Sequence, residues 1–276
     1  MRAVFKAAAL ILAQQLSVQL AYRMAFLQVA LFEAVGLAGT LFYWRAAAGG
    51  ASGSTSGYSV ASIVVYFIVA SSHQILQESG ISRSLSMDIR TGKMAAALVR
   101  PFPFLLQPIA QGIAFSLSRF IMIGPVLIVI FTLTPGLRDF FADIARQQGL
   151  FVWLASYLIT LGLALVCNLV LRLSIGLLAF DMTQTWGPEL LLMALFFALS
   201  GVVYPVDLLP PRAVEMLSWT PFFYLQGLPN LVAIGRISDW ALMAYLARGC
   251  LVTAVLAVLL GSMWRRGVRK FEATGI

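Results

Sequence analysis

The chain has 276 residues, of which 61% are hydrophobic and only 11% charged. Soluble domains average about 45–50% apolar and about 25% charged, so this composition excludes an ordinary cytosolic enzyme, a disordered protein and a nucleic-acid-binding domain. A net charge of +8, from 19 Lys and Arg against 11 Asp and Glu, with a mean hydropathy of +0.91, points to a polytopic membrane protein with basic residues in its short loops.

Residues 1–23 open with Arg2 and Lys6 ahead of a short apolar run, AAALILA, which Gln14, Gln15, Ser17 and Gln19 interrupt. No good cleavage site precedes the next apolar run, so an amphipathic helix in the membrane interface is expected rather than a signal peptide. Six apolar runs of about 17–25 residues come next, each long enough for about 30 Å of hydrocarbon. They are placed at Ala25–Trp44, Ser59–Leu76, Ala114–Thr134, Leu150–Leu171, Pro188–Tyr204 and Trp240–Trp264. The first pair is separated by the flexible polar stretch AAAGGASGSTSG. A loop at 77–103 separates the second and third. Pro135 to Gly149, with Arg138, Asp139, Asp143 and Arg146, is expected to be a loop, as is Arg172 to Trp186. Residues 205–238 hold Pro205, Pro210, Pro211, Pro221 and Pro229.

With the amino terminus in the cytoplasm, the inner segments carry Arg2, Lys6, Arg23, Arg83, Arg90, Lys93, Arg100, Arg172, Arg265, Arg266, Arg269 and Lys270. The outer loops carry only Arg45, Arg138, Arg146, Arg212 and Arg236. The excess places both termini in the cytoplasm, and an even number of spans agrees.

Signs of catalysis are lacking. Gly92-Lys93 resembles the end of a phosphate-binding loop, but such a loop needs Gly at position 87 and Ser or Thr at 94; both are Met. No HExxH, CxxC or GxSxG occurs. Cys167 and Cys250 fall inside apolar runs and read as small core residues. The single histidine, His73, cannot make a histidine metal site alone. No cofactor or metal is expected on this chain.

Ionisable residues inside spans mark transport sites, and few are present. Glu33 lies midway along the first span, either hydrogen-bonded to Gln28 or Arg119 or lining a pathway. His73 is expected at an interfacial polar end, with Gln74 and Gln77 after it and no carboxylate relay beside it. Arg119 and Arg248 are expected to snorkel to opposite faces. Gly249, Thr253, Ala257 and Gly261 share one face of the last span, a pattern that serves close helix packing within the chain or between subunits.

Two segments say more. MDIRTGKMAAALVRP, Met87 to Pro101, leads a charged stretch through Gly92 into a short helical turn at about Lys93–Val99 and ends at Arg-Pro. SGVVYPVDLLPPRAVEMLSWTPFFYLQGLPNLVAIG, Ser200 to Gly235, breaks the fifth span with Gly-x-x-Tyr-Pro. The stretch after this break is too short to span and too apolar for a free loop, so a re-entrant hairpin is expected.

Together these resemble the membrane subunits of type-2 ATP-binding-cassette exporters, in the branch whose permease and ATPase are separate chains. The resemblance covers the whole chain in layout. It implies an all-α permease of six spans forming one domain, residues 1–276. An interfacial helix at 1–23, a coupling loop at 77–103 and an outer re-entrant segment at 205–238 belong to it. It implies two partner ATPase subunits that carry ATP and Mg, a second permease, identical or a sister chain, surrounding lipids, and a bacterial inner membrane. ATPase contact is implied for Asp88, Arg90, Gly92, Lys93, Arg100 and Pro101, and for Asp181 in the second inner loop. A substrate path is implied at Tyr66, Ser71 and Ser72 of span two and Met193, Phe196, Phe197 and Ser200 of span five. The aromatic and Met-rich wall suits an amphipathic or lipid-like substrate. Each of these residues also has a plain reading, as a solvated charge or as bundle packing. The competing classes are an ion- or proton-coupled secondary transporter and an intramembrane enzyme. Neither inverted repeats nor a paired catalytic set is visible to support them.

Overall fold

The computed structural model describes residues 9–10, 13–14, 17, 23–47, 58, 60–77, 79–98, 104–133 and 137–273. Every regular element among them is helical. In chain order these are α1 (Arg23–Ala47), α2 (Val60–Gln77), α3 (Ile81–Arg90), α4 (Lys93–Leu98), α5 (Leu106–Leu133), α6 (Leu137–Gln148) and α7 (Leu150–Leu177). They continue with α8 (Trp186–Leu199), α9 (Pro211–Leu217), α10 (Leu228–Ala233) and α11 (Asp239–Ala273). Short 3-10 turns lie at Leu178–Phe180 and Val206–Leu208, and a π turn at Phe223–Gly227 runs into α10. The expected interfacial helix at 1–23 falls almost wholly outside the described residues.

Two continuous helical runs among the described residues, Leu150–Phe180 and Trp240–Phe271, are long and apolar enough to cross a membrane. α1, α2 and α5 have 25, 18 and 28 residues. α8 is shorter than its expected span, with 14 residues, or about 21 Å at 1.5 Å per residue. It stops because Gly201 takes a left-handed φ of 82°, a conformation that residues with a Cβ rarely adopt, and Pro205 comes soon after.

Three further boundaries differ from the sequence reading. Pro135–Gly149 is not a loop: α6 forms there because Leu137, Phe140, Phe141 and Ile144 fall at helical spacing on one face. Leu137 is buried in one cluster with Tyr58, Tyr66 and Phe67, against which Phe140 and Phe141 also pack. Asp139 in its first turn and Arg146 in its last complement the helix dipole. α5 begins at Leu106, so Arg119 lies more than three turns inside it rather than one or two. α7 runs through Arg172, which is therefore a helix residue, its Nε donating to Asn168 Oδ1 at 3.1 Å. The link between α7 and α8 is thus shorter than expected, residues 178–185.

The helices order the chain into two ends. At one end Tyr58, α6, the start of α7 and the residues after α8 pack together. At the other, α3 and α4 meet the last turns of α7 and the Trp264–Phe271 part of α11. The segments expected outside the membrane and those expected inside thus separate.

Residues 206–235 form a hairpin of short helices that enters the bundle and returns. On the way out, Trp153 Nε1 donates to Val232 O at 3.2 Å. At the deepest point Phe222 and Leu225 pack on Cys167. Trp153 and Cys167 are about 21 Å apart along the α7 axis, which measures how far the hairpin penetrates.

Candidate functional site: the α3–α4 elbow and the buried hairpin

α3 is amphipathic. Ile81, Leu85 and Ile89, one turn apart, are buried with Met94 of α4, Phe104, and Leu173 and Leu177 of α7. Leu85 lies directly over bare backbone: a Cβ at Gly176 would sit 2.9 Å from Leu85 Cδ2. Polar ties fix the remaining sides. Ser84 Oγ donates to Gln111 Oε1 at 2.9 Å, and Ser86 Oγ lies 2.9 Å from Thr185 Oγ1. Arg83 reaches Glu189 at the start of α8 at 3.9 Å. α3 is therefore joined to α5, α7 and α8 at once.

The lower end of α11 closes the same unit. Trp264 stacks on Phe104 with centroids 5.8 Å apart. Gly267 backs onto the Phe180 ring. Lys270 Nζ donates to Asp181 Oδ1 at 2.7 Å, so the expected contact residue Asp181 is tied to the chain's own last helix.

The opposite edge of the elbow faces outward. Arg90 and Lys93 are exposed, and Gly92 turns the chain between α3 and α4 with φ 73°. Asp88 is half-buried, and burial pushes its carboxyl above the ordinary carboxylate range while the Lys93 ammonium pulls it back. Met87 is 49% exposed on the same side. Arg100 and Pro101 lie outside the described residues.

The expected path residues separate into two groups. Tyr66 and Ser200 are enclosed, and Tyr66 Oη donates to Gly201 O at 2.6 Å, which fixes α2 to the break after α8. Ser71 and Ser72 are half-buried, Ser72 Oγ turning back to Ile68 O at 2.8 Å. On α8, Phe196 faces the hairpin core with Phe222 and Leu225, whereas Met193 and Phe197 are exposed.

Of the ionisable residues, the side chain of Glu33 lies outside the described residues. Arg119 is half-buried with its guanidinium 5.5 Å from the Phe115 ring centroid. His73 is not at an open interfacial end. It is 0% exposed, its Nε2 is 2.7 Å from Tyr157 Oη and the two rings stack. It therefore has a partner on another helix, 84 residues away, which no local pattern reveals. Asn230 and Gln226 of the hairpin lie beside its ring. Sequence reasoning also passed over these two, although polar residues one turn apart in an apolar segment were a visible signal.

The end that carries Tyr58 is latched by charge. Tyr58 Oη donates to Asp207 Oδ1 at 2.5 Å. Arg236 lies 3.6 Å from the other carboxylate oxygen, stacked 4.0 Å from the Tyr58 ring centroid. Burial and the Asp207 carboxylate together raise the Tyr58 phenol well above its ordinary value. Arg248 reaches toward the 205–238 segment. It pairs with Glu215 at 3.0 Å and covers the Trp219 ring at 4.8 Å.

Among the described residues no group of three metal-ligating side chains occurs. The arrangement is mechanical: a clamped elbow with a charged edge at one end, and a latched hairpin at the other. Compared with curated proteins, the chain has no match. The family described as ABC-2 family transporter protein matches residues 34–275, and the chain belongs to that family of transporter membrane subunits.

Proposed function

We propose that this chain is the permease of an ATP-driven exporter, powered by two copies of a separate ATPase that dock on the α3–α4 elbow. The observation that carries this reading is the elbow's two-sidedness. Its apolar face grips the ends of α7 and α11, while Arg90, Lys93 and Met87 on its other edge remain exposed. A push on that edge has no slack to absorb it and passes into the long helices. Asp88, Arg90, Gly92 and Lys93 make the contact, continued by Arg100 and Pro101, with Asp181 and its Lys270 partner bracing the elbow from the second inner link. The ATPases bind ATP and Mg; this chain has no catalytic role.

In this reading α1, α2, α5, α7, α8 and α11 are six spans, both termini are cytoplasmic, and the membrane is a bacterial inner membrane. The 205–238 hairpin dips into the outer leaflet. A second permease, identical or a sister chain, completes a path along the shared interface. Met193 and Phe197, exposed on the short α8, present a soft apolar wall toward it that suits an amphipathic or lipid-like cargo, with Ser71 and Ser72 on the facing span. Tyr66 and Ser200 hold the frame of that path.

A photo-crosslinking residue placed at Arg90 or Lys93 tests the docking. An ATPase subunit captured from both positions, and from neither Arg138 nor Arg146 at the other end, is expected. Capture from the α6 positions instead would place the partner on the wrong face.

A further inference from the structure

α11 runs for 35 residues without a break and changes character along one face. Leu251, Val255 and Val258 are exposed by 54%, 52% and 69%, and residues 251–264 include no charge. Arg265, Arg266 and Arg269 then follow and are exposed as well. With 3.6 residues per turn, these six side chains leave the helix within an arc of about 100°. An apolar ridge therefore passes straight into a basic one.

The other side of the same turns explains why the helix continues so far. Trp264, Val268 and Phe271 pack on the cluster that contains Phe104, Leu173 and Leu177, and the bare backbone of Gly267 lies on the Phe180 ring. The basic face is held in place from behind. Its charge is poorly balanced from within the chain. Residues 265–273 hold four cations against one carboxylate, Glu272, and Asp181 is engaged by Lys270. Arg265 and Arg269, like Arg266 and Lys270, are one turn apart, where like charges repel. The helix dipole favours cations in the last turn only, and of these four that turn holds Lys270 alone.

The dimensions select the partner. α11 is long and apolar enough to cross a membrane, so the ridge borders acyl chains and the arginines reach the phosphate level. The rise from Arg265 to Arg269 is about 6 Å, and one headgroup layer of a bilayer is about 5–7 Å deep. Guanidinium groups present paired N–H donors in forks that match phosphate oxygens. A zwitterionic headgroup would bring a further cation into this cluster, and an anionic one does not. Ridge and basic face are one continuous surface of a single helix, as chains and phosphate are parts of one lipid.

We propose that the last turns of α11 seat an anionic phospholipid, its phosphate between Arg265, Arg266 and Arg269 and its chains along Leu251, Val255 and Val258. The lipid neutralises the crowded cations and steadies the helix end that closes the elbow. The inference rests only on α11 crossing a membrane, and not on ATP, cargo or direction.

The test presents the purified full chain in detergent with equal amounts of phosphatidylglycerol and phosphatidylethanolamine and reads the retained lipids by native mass spectrometry. Each basic residue at an anionic headgroup contributes about fivefold to binding, so phosphatidylglycerol is expected to be enriched about tenfold or more. In R265Q/R266Q/R269Q the enrichment is expected to disappear, and R138Q/R146Q, which removes two exposed arginines of α6, should keep it. Equal retention of the two lipids by the native chain would overturn the proposal, whether or not the variants fold. So would enrichment that persists in the folded triple variant; if that variant also lost an ATPase partner, the face would be assigned to protein docking instead. The assay contains no ATPase, so failure of this proposal is distinguishable from failure of the permease reading.

Discussion

Replacing Leu85 by Ala measures how firmly the elbow is held. Leu85 is 0% exposed, and its side chain rests on the uncovered backbone of Gly176. Nothing on that side can move in to fill the space that the deletion leaves. Leu-to-Ala changes in cores cost about 2.7–5 kcal/mol, with the larger values where the cavity cannot collapse. The site belongs in the upper half, at about 4 kcal/mol. For a chain of this size each kcal/mol moves the melting temperature by about 2–4 °C, so a loss of about 8–16 °C is expected. The chain supplies its own reporter: Cys167 is 0% exposed and Cys250 is exposed. After Cys250→Ser, a maleimide dye that reacts on heating reports the unmasking of Cys167. Met87→Ala, on the exposed edge of the same helix, is the control and should shift the curve by less than about 2 °C. A Leu85→Ala curve that matches Met87→Ala would show that α3 is not clamped, and the mechanical argument would fail with it.

The same melt separates the two halves of the small-residue face on α11. A Cβ at Gly249 meets Tyr224 and Leu163 at 2.7 Å, whereas nothing lies within 4 Å of one at Gly261. Gly249→Leu should destabilise the isolated chain strongly and Gly261→Leu should not; equal effects would contradict this division. At the charged latch, Tyr58→Phe removes a bond to an ionised acceptor and should cost about 1.5–3 kcal/mol. The Tyr58 phenol is raised in the folded chain above its ordinary value of 10.0. Its contribution is therefore complete below about pH 10 and declines above it, because the unfolded phenol ionises first. The native melting temperature should fall more steeply above pH 10 than that of Tyr58→Phe, and parallel curves would remove Asp207 as its partner.

Some of this architecture was legible in the residues and some was not. The short helix after Gly92 was marked by its glycine, its charged lead and its run of alanines, and α4 occupies Lys93–Leu98. The hairpin was marked by prolines spaced through a segment too apolar for solvent and too short to span. α6 was missed although its apolar residues repeat at helical spacing, because its four charges drew the segment into the polar class. The length of α5 was misjudged for a related reason: Gln107 and Gln111 lower the hydropathy of its first turns without breaking the helix. His73–Tyr157, Tyr58–Asp207 and Asn168–Gln77 were beyond reach. Each joins residues 84 or more positions apart, and only the folded packing of α2, α7 and the hairpin makes them neighbours.

The central claim, a permease driven by a separate ATPase through the elbow, is tested most directly by purifying the tagged chain from native membranes in mild detergent. The proteins that accompany it are then identified by mass spectrometry. The native chain should carry an ATP-binding-cassette ATPase, and the folded double reversal D88R/R90E should lose it. Well-folded native chain recovered without an ATPase, or an ATPase held equally by D88R/R90E with its activity still stimulated, would contradict the account.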